Sequence, residues 1–154
     1  MLALTSTVYI PKHMRCAQVL SGGLYLGNDV DAQSETVVRN LGITHIVNAT
    51  RNIPNAFEHV KYHNVSCHDD QKTDIMKFLD GVYTFVSGAL KEKGTVLVHC
   101  NKGISRSSTC VIWLCLKLRV RHTAHSSSTH KAWPRSAALC LATNTTFKTK
   151  VKIM

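Results

Sequence analysis

The segment Val96-Leu-Val-His-Cys-Asn-Lys-Gly-Ile-Ser-Arg-Ser-Ser108 is the most informative part of this 154-residue sequence. Its first residues form a short, β-branched apolar run, which predicts a central, buried strand ending at His99. The apolar residues that follow Ser107 recur up to about Leu118 and predict a buried helix. Residues 100–106 remain for the connection, so the chain is expected to pass from a strand through a tight loop into a helix.

The 100–106 loop has the features of an anion-binding site. The backbone N–H groups of a tight loop, together with the N-terminus of the following helix, form a ready site for a negatively charged group. Gly103 allows a backbone conformation that is closed to residues with a Cβ atom. Arg106 closes the ring, and its planar guanidinium can bind two phosphate oxygens at once. These features predict a phosphate site.

Cys100 opens this loop, so its thiol is expected at the bottom of the cradle. A free thiol has a pKa of about 8.5, and a helix N-terminus with a nearby guanidinium can lower it by several units. The resulting thiolate is a strong nucleophile toward phosphorus, and it is also the form that oxidises first. Ser107 can donate a hydrogen bond to the sulfur. The alternative is that Cys100 is an inert, buried thiol.

The fuller pattern over residues 99–107, H-C-x-x-G-x-x-R-S, is highly specific. On this pattern the chain resembles the dual-specificity phosphatase branch of the protein tyrosine phosphatase superfamily. Residues 24–28 and 41–49 resemble two further strands of that family, so the resemblance covers about residues 19–118. It implies an α/β fold in which a protein tyrosine phosphatase-like mixed sheet is flanked by helices.

The resemblance also implies roles for individual residues. Cys100 would be the nucleophile, and Arg106 and Ser107 would assist it. The other loop residues would bind the substrate phosphate together with Arg106; they are Asn101, Lys102, Gly103, Ile104 and Ser105. His99 is expected to orient the loop rather than to exchange protons. Asn48 is a candidate to brace the loop, and alternatively it is only a turn residue at the end of its strand.

Hydrolysis also needs a group that protonates the leaving oxygen and then activates water. In the family this group is an Asp about thirty residues before the cysteine, on a mobile loop. Asp69 fits, because four residues separate it from Asp74 at the start of a predicted helix. The neighbouring Asp70 is the rival. The alternative for both is a solvated acidic loop without a catalytic role.

Outside the loop, predicted strands alternate with predicted helices. The predicted elements are strands over 19–26, 43–48 and 60–67 and helices over 31–41 and 74–92. Asp31 and Asp74 can cap the two helices, and Gly42 and Gly94 follow their ends. The second helix has one apolar face at helical spacing. This alternation predicts a mixed sheet covered by helices on both faces.

The resemblance ends before the chain does. We expect residues 1–18 to be an N-terminal extension, 19–118 a truncated catalytic domain and 119–154 a basic, Ser/Thr-rich tail that is partly disordered. In the family, further helices follow the loop helix, and the tail lacks their residue pattern. The tail therefore resembles a variant end, such as one produced by a frameshift or by alternative splicing. These helices are predicted to be missing or replaced. Without these helices, the apolar surface that they normally cover would be exposed. Each Å² exposed would cost ~25 cal/mol of folding free energy, which puts the stability of the domain in question.

Charge and composition narrow the function classes. Residues 1–116 hold 11 basic and 9 acidic residues, whereas residues 117–154 hold 8 basic residues and no acidic one. This basic tail leaves nucleic acid open as a partner, although none is expected.

No stretch reaches the ~20 apolar residues of a membrane span, and the N-terminus does not resemble a signal peptide. The six cysteines include no C-x-x-C pair. We therefore expect a protein of the cytoplasm or nucleus with reduced cysteines.

Together these features predict a protein phosphatase that hydrolyses phosphotyrosine and phosphoserine/threonine through a phosphocysteine on Cys100. No cofactor or metal is expected, because Arg106 supplies the cation. The substrate would be a phosphorylated protein. One alternative is a catalytically impaired variant that only binds phosphopeptides as a decoy. A lipid phosphatase is a weaker alternative, because the loop has few basic residues. An RNA 5′-phosphatase is also weaker, because the loop lacks that branch's Arg-Thr-Gly ending.

Overall fold

The computed structural model describes residues 16–20, 22–70 and 73–123. Its five strands are β1 (Ala17–Leu20), β2 (Leu24–Gly27), β3 (His45–Asn48), β4 (Lys61–Asn64) and β5 (Val96–His99). Its helices are α1 (Asp29–Gln33), α2 (Glu35–Asn40), α3 (Met76–Lys91) and α4 (Arg106–Thr123). The strands form one mixed sheet in the order β1-β2-β5-β3-β4, in which β1 is antiparallel to β2 and the other pairings are parallel. The predicted α/β class is confirmed.

The central position predicted for β5 is also confirmed. All four of its residues are buried, and it lies between β2 and β3. His99 at its end pairs in register with Gly27 of β2 and with Asn48 of β3. Three parallel strands therefore end in one row. The loops that leave their carboxyl ends meet at this edge of the sheet, which is where open α/β sheets bind ligands.

Both faces of the sheet are covered, as the alternation of elements predicts. Successive residues of a strand point to opposite faces. Val47 accordingly joins the apolar cluster that includes buried residues of α3 and α4, and Ile46 joins the cluster that includes Ala32 of α1 and Val37 of α2. The long helices pack on one face, and the short helices pack on the other.

The strand predicted over 19–26 is wrong, because β1 and β2 form a hairpin there. Gly23 has a φ of 98°, and its amide donates a hydrogen bond of 3.2 Å to the carbonyl of Leu20. A positive φ costs glycine little, so the chain can reverse between the two strands. The sequence predicted the glycine interruption without predicting the reversal.

The helix predicted over 31–41 is likewise two helices. Ser34 has an extended backbone that ends α1, and its hydroxyl accepts a hydrogen bond from the amide of Val37 in α2. Asn28, rather than Asp31, is the N-cap of α1, and Asp31 completes a reciprocal capping box three residues later. Gly42 has the positive φ, 61°, expected just past the end of a helix.

The remaining elements agree with prediction except at their ends. The N-cap of α3 is Ile75, whereas the carboxylate of Asp74 accepts a hydrogen bond from the amide of Met76. Strand β4 is shorter than predicted, because the chain turns at Cys67, whose amide donates to the carbonyl of Val65. This turn directs the following residues toward the end of the sheet where β5 stops.

Helix α4 continues to Thr123, five residues beyond the predicted end of the catalytic domain. Most of the predicted N-terminal extension and of the basic tail lies outside the described residues. The prediction that the C-terminal helices are missing or replaced also concerns that part of the chain. Within the part of the chain that is described, no helix is long and apolar enough to cross a membrane.

Candidate active site

The loop between β5 and α4 rests on the backbone that follows β2. The amide of Asp29 donates a hydrogen bond of 3.2 Å to the carbonyl of Asn101. Gly103 has a φ of 71°, and a Cβ atom there would lie 2.8 Å from the carbonyl oxygen of Gly27. The glycine is therefore required both by its backbone conformation and by this close approach. The sequence predicted the first reason, and only the fold reveals the second.

Cys100 is buried at the base of the loop, with 1 % of its surface exposed. The hydroxyl of Ser107 lies 3.2 Å from its sulfur and donates a hydrogen bond to it. Burial raises the pKa of the Cys100 thiol, but the Ser107 hydroxyl, the backbone amides of Ser107 and Gly103 and the charge of Arg106 outweigh burial and lower the pKa below its ordinary value. These contacts shift the equilibrium of this buried thiol toward the thiolate.

His99 lies buried directly beneath the loop. Burial lowers the pKa of its imidazole to about 4, with a smaller contribution in the same direction from Arg106, and against the effects of the Cys100 backbone and of Asp29. The imidazole is therefore neutral at neutral pH. A neutral ring in this place does not add a positive charge beside the sulfur, so the lowered pKa of Cys100 depends on the loop itself.

Arg106 is almost completely buried at the first residue of α4. Its Nη1 donates a hydrogen bond of 3.4 Å to the carbonyl of Cys67. Its Nε lies 3.7 Å from Oδ2 of Asp69, which is an ion-pair distance but too long for a hydrogen bond. The guanidinium is held between the loop and the segment after β4, and it keeps donors for a bound anion.

The structure separates the two candidate acids. Asp69 faces the loop, because its Oδ1 accepts a hydrogen bond of 2.8 Å from the hydroxyl of Ser105 and its Oδ2 faces Arg106. Asp70 instead accepts a hydrogen bond of 2.6 Å from the amide of Thr73 and so caps a local turn. Of the two carboxylates, Asp69 is therefore the one with a shown contact to the 100–106 loop.

Asp69 and Arg106 both line a cleft of about 200 Å³. It is lined by Arg51, Asn52, Cys67, His68, Asp69, Asn101 and Arg106. Among the other loop residues predicted to bind phosphate, Lys102 and Ile104 are exposed, and Gly103 and Ser105 are partly buried. A phosphate at the base of the loop would contact backbone amides. The exposed side chains of Lys102 and Ile104 lie instead on the protein surface.

Asn48 organises the loop that follows β3. Its side-chain oxygen accepts hydrogen bonds from the amide and hydroxyl of Thr50, and its side-chain nitrogen donates to the carbonyl of Ile53 and to Oδ1 of Asn55. These partners lie in the 49–55 loop and not in the 100–106 loop, which Asn48 was predicted to brace. The register of Asn48 with His99 places the 49–55 loop beside the cleft.

Sequence reasoning missed Arg51, Asn52 and His68 as residues of the site. The available signal was their position, because each follows a predicted strand, and loops that leave parallel strands meet at one edge of the sheet. Among the described residues, no group of three or more His, Cys, Asp or Glu side chains is placed to hold a metal ion. Five cysteines fall in the described part of the chain, and all five are free thiols.

Residues 24–128 match the family model of the dual-specificity phosphatase catalytic domain. The chain belongs to the dual-specificity phosphatase family. Its similarity to Protein phosphatase Slingshot of Drosophila melanogaster is 38% identity over 95 residues, which is 61% of this chain and 9% of that protein. With human Dual specificity protein phosphatase 1 it shares 37% identity over 100 residues, or 64% of this chain and 27% of that protein. This dual-specificity phosphatase domain thus matches only a small part of both relatives.

Solved structures of the family have the same fold. Human DUSP28 superimposes with a TM-score of 0.70 at 20% identity, covering 88% of this chain and 88% of that chain. The human tyrosine phosphatase-like serine/threonine/tyrosine-interacting protein superimposes with a TM-score of 0.68 at 27% identity, covering 88% and 91%. The mixed sheet flanked by helices is therefore the dual-specificity phosphatase fold.

Proposed function

We propose that this chain hydrolyses phosphotyrosine and phosphoserine/threonine in proteins through a phosphocysteine on Cys100. The observation that supports this most directly is the buried Cys100 thiol with the Ser107 hydroxyl 3.2 Å from its sulfur and with a lowered pKa. Membership of the dual-specificity phosphatase family supports the same chemistry.

In the first step, the Cys100 thiolate attacks phosphorus, forming an S–P bond as the P–O bond to the substrate breaks. The carboxyl group of Asp69 gives its proton to the departing oxygen. Arg106 and the loop amides bind the phosphoryl oxygens, where negative charge is concentrated in the transition state. Asp69 and Arg106 line one small cleft, and Cys100 lies buried at the base of the loop that begins beside the cleft residue Asn101.

In the second step, the Asp69 carboxylate takes a proton from water, and the water oxygen attacks phosphorus. The S–P bond breaks, the thiolate leaves, and inorganic phosphate is released. Ser107 stabilises the departing sulfur by the same hydrogen bond that favours the thiolate in the free enzyme. Both steps therefore use one carboxyl group, first as acid and then as base.

The shape of the cleft supports action on both classes of phosphoester. Its volume is only about 200 Å³, and the side chain of Asp69 that lines it is 48% exposed. Phosphoserine and phosphothreonine are shorter than phosphotyrosine, so a shallow site admits them to the phosphate loop. A deep site would accept phosphotyrosine alone.

Turnover of para-nitrophenyl phosphate and of phosphopeptides tests the proposal. Cys100→Ser should abolish turnover, whereas Cys16→Ser, a matched buried cysteine on the opposite face of the sheet, should retain it. Thermal melting of each variant verifies that it is folded. If the folded wild-type chain binds vanadate and phosphopeptides without turnover, the chemistry is wrong and the phosphopeptide-binding decoy takes its place.

A further inference from the structure

A second basic group lies at the mouth of the cleft, outside the phosphate loop. Arg51 follows β3 and His68 follows β4, and both line the same cleft as Arg106. The guanidinium of Arg51 contacts Nε2 of His68, so the two side chains adjoin. Both residues are exposed. Because Arg51, His68 and Arg106 line one cleft, they lie close to where a bound phosphate would have its neighbouring residues.

The charge of Arg51 is not compensated by a carboxylate within the described residues. Arg39 pairs with Glu35 at 2.7 Å, and Arg106 faces Asp69 at 3.7 Å, but Arg51 makes no such ion pair. A guanidinium carries five N–H donors in a planar fork, and His68 engages one side of that fork. The remaining donors are suited to a carboxylate or phosphate, which Arg binds in bidentate geometry.

Arg51 is also held in place before any ligand arrives. It follows Thr50, whose amide and hydroxyl both bond the buried side chain of Asn48. The same Asn48 side chain fixes the far end of the loop through Ile53 and Asn55. A loop tied at both ends loses less conformational entropy on binding than a free one, so its charge is preorganised.

We propose that Arg51 and His68 form a subsite for an anionic side chain adjacent to the phosphorylated residue of the substrate. The inference rests on the proposed phosphatase function. The anionic group is a carboxylate or a second phosphate, since both match the guanidinium fork. Arg51, His68 and Arg106 line the same cleft, so the flanking anion would be bound close to the phosphate site.

Arg51 has one other conceivable role, which is to brace the segment that carries Asp69 through its contact with His68. The two roles differ in what a substitution changes. Loss of a brace lowers turnover of every substrate by the same factor. Loss of a subsite changes the ratio between substrates with and without an anionic neighbour.

The test uses phosphotyrosine peptides that are identical except for Ala, Glu or phosphoserine at each of the two positions on either side. For wild type, the ratio of kcat/KM between the best anionic peptide and the Ala peptide should be about tenfold, as expected of one partly exposed charge-assisted hydrogen bond. Arg51→Gln should bring this ratio close to one. The matched exposed arginine variant, Arg39→Gln, should keep it. The Glu and phosphoserine series separate the two kinds of anion.

The subsite is refuted if Arg51→Gln leaves the kcat/KM ratio unchanged. It is also refuted if Arg51→Gln lowers kcat/KM by the same factor for every peptide. Para-nitrophenyl phosphate has no flanking residues, so its turnover by the same preparations tests the proposed chemistry separately. If wild type turns over no substrate, the peptide dissociation constants of the Cys100→Ser chain give the same ratio. A tenfold preference that disappears with Arg51→Gln in that background supports the subsite, and its absence there refutes it.

Discussion

The hydroxyl of Ser105 lies 2.8 Å from Oδ1 of Asp69, so the phosphate loop is hydrogen-bonded to the segment that carries the proposed general acid. The two residues are 36 positions apart in sequence. A residue of the 100–106 loop therefore holds the Asp69 side chain, which lines the cleft. The bond also leaves Oδ2 of Asp69 directed toward Arg106.

Ser105→Ala should therefore slow proton transfer more than it weakens binding. Losing one neutral hydrogen bond, worth about 1 kcal/mol, predicts a roughly fivefold lower kcat with a smaller change in KM. Steady-state kinetics with a phosphopeptide measure this split. Ser87→Ala is the control, since that hydroxyl donates to a helix carbonyl on α3. An unchanged kcat, or a loss confined to KM, contradicts the positioning role.

Ser107→Ala should raise the pKa of the Cys100 thiol. The hydroxyl donates to the sulfur at 3.2 Å and stabilises the anion, so its removal favours the protonated form. Alkylation of Cys100 by iodoacetamide should then reach its half-maximal rate at a higher pH and be slower at pH 6. The neighbouring Ser108→Ala removes a hydroxyl that donates to the carbonyl of Gly103, and it should shift the midpoint less. Equal midpoints in wild type and Ser107→Ala would refute the assignment.

Gly103→Ala should abolish vanadate binding and destabilise the fold. The new Cβ would lie 2.8 Å from the carbonyl oxygen of Gly27 and would force a side chain into a positive φ, which alone costs about 1–2 kcal/mol. Urea denaturation and vanadate titration measure the two effects. Gly22→Ala is the matched control, because its Cβ would have no heavy atom within 4 Å. A Gly103→Ala chain that binds vanadate normally would show that this contact is not required.

Acid should destabilise the chain through its buried histidines. The pKa of His99 is lowered to about 4 by burial, whereas an unfolded histidine titrates near 6.5. The unfolded chain therefore takes up the proton first, and stability falls as the pH drops from about 6.5 to about 4. One pKa unit is worth about 1.4 kcal/mol, so His99 accounts for roughly 3 kcal/mol of this loss. Burial shifts the pKa values of His45 and His63 in the same direction.

Urea denaturation at several pH values checks this sign and its origin. His99→Gln should flatten the dependence between pH 6.5 and 4, whereas the exposed His59→Gln should leave the slope as in wild type. A His99→Gln profile that is parallel to wild type would show that the acid sensitivity comes from other groups.

The sequence predicts the chemistry of this site better than its surroundings, and the reason is physical. Cys100, Gly103, Arg106 and Ser107 act within one short loop, so their spacing alone determines that they meet. Asp69 was predicted from a resemblance, and only the fold shows that it faces Ser105.

The errors fall where distant contacts or single residues decide the outcome. Ser34 divides one periodic apolar segment into two helices through its extended backbone, which a helical pattern does not reveal. The hydrogen-bond partners of the Asn48 side chain belong to a loop that folds back over it. An amide group can bond many donors and acceptors, so the residue type alone does not predict these partners. Arg51 lines the cleft because β3 pairs with β5 in a register that aligns their ends. The register of parallel strands cannot be predicted from local sequence.

The burial of the first turn of α4 has a consequence for how this protein loses its structure and its proposed activity. Ser107, Ser108, Thr109 and Cys110 are each no more than 3% exposed, so the phosphate loop leads directly into a fully buried helical turn. Backbone amides that are this deeply packed open to solvent only in large cooperative fluctuations. Heat or denaturant should consequently extinguish turnover and native structure in a single transition, without a range of conditions in which an intact scaffold carries a disordered catalytic loop.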